Sequence, residues 1–220
     1  MIEPMVRHRV QIRFKKTDNL RFIGHRDLMR SIERLLRRSQ LPVSMSEGFH
    51  PKVRMSFPSA LALGVSGHAE VMELDLEGNI TPDQVLASLN RNSFAGLTFC
   101  SVVEMATGRK NKGRVISDTY EMFIPGHLCK ITAELIADFL SQESVIVAKS
   151  KGKIVDVRAA VMKLVIQADR LKMTLAVTAG SDAGFREVLD QIGLRAELFR
   201  TIFPVRTAVN LAEENLVEKH

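Results

Sequence analysis

From Val6 to Lys15 apolar and polar positions alternate along the chain. Val6, Val10, Ile12 and Phe14 fall on one face, and Arg7, Arg9, Gln11, Arg13 and Lys15 on the other. That period of two predicts a half-buried strand with a basic outer face. The period then lengthens. Leu28, Ile32, Leu35 and Leu36 recur at helical spacing between Arg26 and Arg38, and Arg26, Arg30, Arg34 and Arg37 form one basic flank of the same helix. Pro42 bars its continuation. Residues 44–58 mix turn residues with short extended pieces, punctuated by Gly48 and Pro51. A strand follows over 69–76, with Met72, Leu74 and Leu76 on one face. Thr81 is placed to cap a helix that starts at Pro82 and runs to Asn90. Residues 97–104 predict a further strand. The order strand, helix, extended segment, strand, helix, strand is that of the split βαβ, ferredoxin-like plan.

Residues 107–114, TGRKNKGR, carry no apolar side chain. They predict an exposed linker over 108–114, separating a unit of residues 1–107 from a second α+β unit of residues 115–220. The second half repeats the theme. A strand is expected over 115–124 and a helix over 127–140, with Leu128, Ile131, Leu135 and Phe139 turned inward. A short strand over 144–148 comes next. Residues 161–167 and 171–178 predict a hairpin. Ser181 is positioned to cap a helix carrying Phe185, Val188, Leu189 and Ile192, which Gly193 closes. A last strand is expected over 197–205. The fold class is therefore α+β, two ferredoxin-like units in tandem. Only the element order suggests a duplication, since no residue-level repeat is present.

Composition changes this picture in one respect. The chain of 220 residues is 45% hydrophobic, which excludes global disorder. Its net charge of +6 is unevenly placed. Residues 1–60 hold 13 Lys and Arg against 5 Asp and Glu, whereas the remainder holds 18 against 20. A basic first quarter points to an anionic partner, nucleic acid or an acidic protein surface; a merely solvated basic face is the alternative. Two cysteines, Cys100 and Cys129, form no C-x-x-C pair, which fits a reducing compartment. With no apolar leader and no apolar stretch of spanning length, a cytoplasmic protein without membrane contact is expected.

Leu20 to Phe57 reads LRFIGHRDLMRSIERLLRRSQLPVSMSEGFHPKVRMSF. It opens with Leu20, Arg21, Phe22, His25, Asp27, Leu28 and Arg30. The helix supplies Glu33, Arg34, Leu36, Arg37, Arg38, Leu41 and Pro42, and Gly48, Phe49 and Pro51 follow. In these residues the chain resembles the radical-SAM-linked family of unknown function. The likeness extends through about residue 107 and continues more loosely, with Val155, Asp156, Val157 and Arg158 as its anchor in the second half. It implies association with a radical-SAM protein and no known reaction. His50 stands where an Asn is common in that family.

Two cysteines cannot supply the three closely spaced thiolates of a radical-SAM cluster, so such chemistry would belong to a partner. His8, His25 and His50 follow no metal-ligand spacing, and no metal or other cofactor is expected. Neither a nucleophile elbow nor a Gly-rich nucleotide loop is present. The candidate binding residues are Arg21, His25, Arg26, Arg30, Arg34, Arg37, His50, Lys52 and Arg54. His25 and Asp27 open the basic helix, where they form either a capping and ion-pair corner or an anion site. The loop from Glu47 to Lys52 is either a tight turn with Phe49 plugging the core or a binding loop. Arg7, Arg9 and Arg13 share a sheet face, but Glu73 and Asp75 share the outward parity of the neighbouring strand and are placed to neutralise it.

Two functions fit. One is a non-catalytic accessory module associated with a radical-SAM enzyme, contacting RNA or an anionic partner surface. The other is a metal-free RNA-processing enzyme, similar in element order to the RNA-cutting RAMP proteins of CRISPR systems, with His25 or His50 as general base. The residues leave open whether the chain is an enzyme.

Overall fold

The structure is a computed structural model in which residues 7–105, 113–149, 152–177, 183–194 and 202–212 are described. The chain is a mixed α/β protein that divides into two compact units, Met1–Arg114 with Leu211–His220, and Val115–Asn210. Among the described residues no helix is long and apolar enough to cross a membrane.

The first unit is built on β1 (Arg7–Lys16), a 3-10 turn (Asp18–Phe22), α1 (His25–Arg38), β2 (Met55–Ser56), β3 (Ser66–Glu77), α2 (Pro82–Arg91) and β4 (Leu97–Glu104). β1 is central and antiparallel to both β3 and β4, and β2 is antiparallel on the far side of β3. The strand order is β4-β1-β3-β2. Val10, Ile12 and Phe14 of β1 join Met72, Leu74 and Leu76 of β3 in one buried cluster with the apolar stripes of α1 and α2. Each large side chain so buried contributes about 1.5–3 kcal/mol.

Local chemistry fixes the ends. The Thr81 hydroxyl accepts from the Gln84 N–H, and the Gln84 side chain accepts from the Thr81 N–H, a closed capping box with Pro82 behind it. At the other end of α2, the Asn90 amide pairs with both backbone groups of Phe99, donating at 2.9 Å and accepting at 3.0 Å. Gly96 has φ +81°, and a Cβ there would lie 2.6 Å from the Thr17 carbonyl oxygen. The turn before β4 therefore requires glycine.

The second unit comprises β5 (Val115–Phe123), α3 (Gly126–Ser141), β6 (Ile146–Ala148), β7 (Ile154–Asp156), α4 (Val157–Ala160), β8 (Val161–Gln167), β9 (Arg170–Ala176), α5 (Phe185–Gln191) and β10 (Val205–Leu211). Its strands run in the order β10-β5-β9-β8, with β6 and β7 as a separate antiparallel pair. β5 and β8 are both antiparallel to β9.

Several expectations shift here. The inward face of α3 is centred on Thr132, Ile136 and Phe139, and Ile131 is exposed. Phe139 is buried as expected and Leu128 and Leu135 are half-buried, while Ile131 borders the polar face of His127, Lys130, Glu134 and Asp138. β7 and α4 were not foreseen. In them Asp156 caps α4 by accepting from the N–H groups of Arg158 and Ala159. The same Oδ1 takes the Val145 N–H at 3.0 Å, and the Asp156 carboxyl is held below its ordinary value. The Val145 N–H is the largest cause; burial opposes it, and the Ala159 and Arg158 N–H groups and the Arg158 charge add to it. The N-cap of α5 is Gly184, while Ser181 lies outside the described residues. The last strand starts at Val205 rather than ending there; residues 195–201, which cover most of the expected strand, lie outside the described residues. Of the expected linker, residues 108–112 lie outside as well, and Gly113 is buried rather than exposed.

Candidate binding surface

The basic face expected on β1 is largely closed off by β3. The antiparallel register sets Arg7 opposite Glu77, Arg9 opposite Asp75 and Gln11 opposite Glu73. Arg9 donates from Nε to Asp75 Oδ1 at 2.6 Å and lies 3.7 Å from Glu73, and Arg7 lies 3.8 Å from Glu77. The hydrogen bond to Asp75 raises the Arg9 guanidinium above its ordinary value, although burial works against it. Glu73 also accepts from the Ser56 hydroxyl and from the Gly113 N–H. Arg13 is engaged as well. Lys16 falls on the inward parity of Val10, Ile12 and Phe14, is fully buried, and donates from Nζ to the Ile23 carbonyl at 2.9 Å. Cross-strand parity raised the acidic neighbours, and the same alternation, carried one residue past Lys15, puts Lys16 inward.

α1 keeps its cations outside. Arg26, Arg30, Arg34 and Arg37 are all exposed. Arg30 lies 3.6 Å from Asp27 and Arg37 lies 2.9 Å from Glu33, both within the helix and open to solvent, where such pairs hold little energy. Arg26 and Arg34 enter no ion pair or hydrogen bond among the described residues. At the start of α1 the cap is Gly24, with no side-chain cap. Asp27 takes the ion-pair role of the two expected for it. The half-buried His25 ring meets Phe57 edge-on at 5.4 Å, and Phe57 in turn meets the core ring of Phe14 at 6.2 Å. Arg21 lies over the Phe22 ring at 4.7 Å and has further interactions within the protein.

The Ser44–Pro58 segment forms a looped-out hairpin. Val43 bridges to Leu76 of β3, and the next β3-paired residue along the chain, Met55, faces Leu74. Ser44 and Arg54 still bond to Asp75, the Ser44 N–H donating to its carbonyl and the Arg54 carbonyl accepting its N–H, and the chain from Met45 to Val53 loops away from β3. Met45 bridges to Val53, and the Ser46 N–H donates to the Lys52 carbonyl at 2.8 Å. Arg54 ties the base, donating from Nε to the Met45 carbonyl at 3.0 Å and lying 3.6 Å from Glu47. Every residue from Glu47 to Lys52 is exposed. Gly48 takes φ +115°, a conformation that favours glycine at the apex.

Phe49 therefore does not plug the core; its side chain is fully exposed at 102%. It has no ring contact among the described residues. His50 is likewise exposed and has no hydrogen bond or ion pair among them. The nine sequence candidates thus fall on three elements. Arg21 lies in the 3-10 turn, His25 and the four arginines on α1, and His50, Lys52 and Arg54 on the hairpin. Phe49 was absent from that set; its place between Gly48 and Pro51 was the available signal for a projecting tip. Among the described residues no group of three or more His, Cys, Asp or Glu side chains is placed to hold a metal ion.

A family model described as "Uncharacterized protein conserved in bacteria (DUF2344)" matches residues 9–186. No curated protein matches the chain.

Proposed function

On the premise that the chain belongs to this family of uncharacterized proteins conserved in bacteria, we propose that it is a non-catalytic binding module. It works in the cytoplasm alongside a radical-SAM enzyme and contacts RNA through its first unit. The likeness of Leu20–Phe57 to the radical-SAM-linked family supports the partnership, and with two cysteines the chain leaves radical chemistry to that partner. The strand orders β4-β1-β3-β2 and β10-β5-β9-β8 support reading the two units as tandem ferredoxin-like folds.

The observation that carries the proposal is the outward flank of α1. Arg26 and Arg34 are exposed and uncommitted among the described residues. Neighbouring Arg30 and Arg37 are themselves exposed and hold only intrahelical partners, exposed Asp27 and half-buried Glu33, in pairs of the weak surface kind. Four guanidinium groups along one helix suit a phosphate backbone rather than base edges. The enzyme reading is less favoured. A general base needs a second polar group and a cation within reach, and His50 stands at a hairpin tip without a bonding partner among the described residues.

The test is binding of the full chain to labelled RNA across a salt titration. Affinity should fall linearly with salt on a double-logarithmic plot. Affinity that does not change with salt would overturn the phosphate contact. Co-purification of a radical-SAM protein without RNA would assign the flank to an anionic protein surface.

A further inference from the structure

We propose that the Met45–Val53 hairpin is a single-strand contact, in which the Phe49 ring stacks on an unpaired RNA base and Lys52 meets an adjoining phosphate. This rests on the RNA-binding module reading above and names the form of RNA the module selects.

The first ground is geometric. The hairpin leaves β3 between Ser44 and Arg54, which both bond to Asp75, and its base is pinned by the Met45–Val53 bridge, the Ser46–Lys52 backbone bond and the Arg54 guanidinium. A tip held this way presents its side chain at little ordering cost on binding. Phe49 stands on it with both ring faces open, in contrast to Phe14, whose ring meets Phe57 edge-on and Phe99 at a tilt. A duplex offers no base face to such a ring, whereas an unpaired base does.

The second ground is charge. Glu47 is the only acid between Met45 and Arg54, and Arg54 lies 3.6 Å from it. Lys52 is exposed and in no ion pair among the described residues. The tip therefore shows an aromatic ring and a cation with its one carboxylate already paired. That pairing of a stacking platform with a phosphate contact is what sequence-tolerant single-strand binding needs. An acidic protein surface would meet the same cation, but no observation supplies an apolar socket for the ring.

The chain contains no tryptophan, so Phe49→Trp introduces a single indole reporter at the tip. Its emission should be quenched by an unstructured single-stranded RNA oligonucleotide and left unchanged by duplex RNA or heparin. Phe49→Ala should weaken single-strand affinity roughly tenfold while leaving duplex affinity unchanged. Lys52→Ala should lower the salt slope by about 0.7. Because Phe49 makes no ring contact among the described residues, both Phe49 variants should keep the wild-type urea midpoint. If Phe49→Ala binds single strands as the wild type does, or saturating RNA leaves the Phe49→Trp emission unchanged, the stacking contact is wrong, and a salt-dependent affinity lost in an α1 variant would leave the module reading standing. Loss of a co-purifying protein with Phe49→Ala, at unchanged RNA affinity, would assign the ring to a protein pocket and overturn the proposal. If the wild type binds no RNA at low salt, both the RNA contact of the module and the stacking contact fall.

Discussion

Arg9 and Asp75 face each other across β1 and β3, and the arginine Nε donates to the carboxylate at 2.6 Å. Glu73, 1% exposed, lies 3.7 Å from the same guanidinium. Two nearly buried carboxylates thus share one cation. This removes Arg9 from any nucleic-acid surface and gives it a structural task.

Arg9→Ala should accordingly lower stability by about 3 kcal/mol, because it strands two buried negative charges. Urea unfolding followed by circular dichroism measures this. RNA affinity per folded molecule should stay at the wild-type value. A loss of RNA affinity without a loss of stability would show that the sheet face binds the ligand.

On α1 the expectation is the reverse. The double substitution Arg26→Ala and Arg34→Ala should leave the urea midpoint within about 0.5 kcal/mol of wild type. It should reduce the salt slope of RNA binding by about 0.7 per arginine. An unchanged slope would remove the helix flank from the interface.

Asp156 offers a pH test. Its carboxyl is lowered in the folded protein, first by the Val145 N–H against the opposing effect of burial. The stabilising contribution is therefore complete above the ordinary aspartate value of about 3.9 and is lost as pH falls through the lower folded value. Asp156→Asn should flatten the acid limb of the stability profile below about pH 4. Asp156→Ala should also remove the α4 cap, costing about 1 kcal/mol at neutral pH. An acid limb identical in wild type and Asp156→Asn would contradict this account.

A buried ion pair lies in the second unit. Arg206, 1% exposed, donates to Asp118 Oδ2 at 3.2 Å. Arg206→Met should cost about 3–5 kcal/mol by leaving a buried carboxylate without its cation. Combining it with Asp118→Leu should recover much of that loss, since an apolar pair of similar volume leaves no stranded charge. Thermal unfolding of the two variants decides it; a double variant no more stable than Arg206→Met would show that Asp118 carries other bonds the fold needs.

Much of the first unit was legible in the sequence because its signals are local. Alternation over Val10, Ile12 and Phe14, the stripe Leu28, Ile32, Leu35 and Leu36, and the Thr81-Pro82 helix start each depend on residues a few positions apart. The possibility that Glu73 and Asp75 would neutralise the basic face was legible too, because strand parity and a neighbouring-strand hypothesis suffice to raise it. β7 and α4 were missed because they are only three and four residues long, and their stabilising contact, Asp156 to Val145, spans a loop. On α3 the expected inward set was right for Phe139 and one position off at Ile131, where Thr132 is buried instead.

By itself the sequence determined the period of each long element, the concentration of cation in the first quarter, and a cysteine count of two, too few for the three thiolates of a radical-SAM cluster. Tertiary structure alone decided which cations remain available. The Ile23 carbonyl took the inward Lys16, β3 took Arg7 and Arg9, and α1 left Arg26 and Arg34 to solvent. It also decided that Phe49 faces water, because the chain between Ser44 and Arg54 loops away from β3 instead of continuing along it. Both outcomes depend on pairing between segments distant in sequence, whose energies no local pattern of residues encodes.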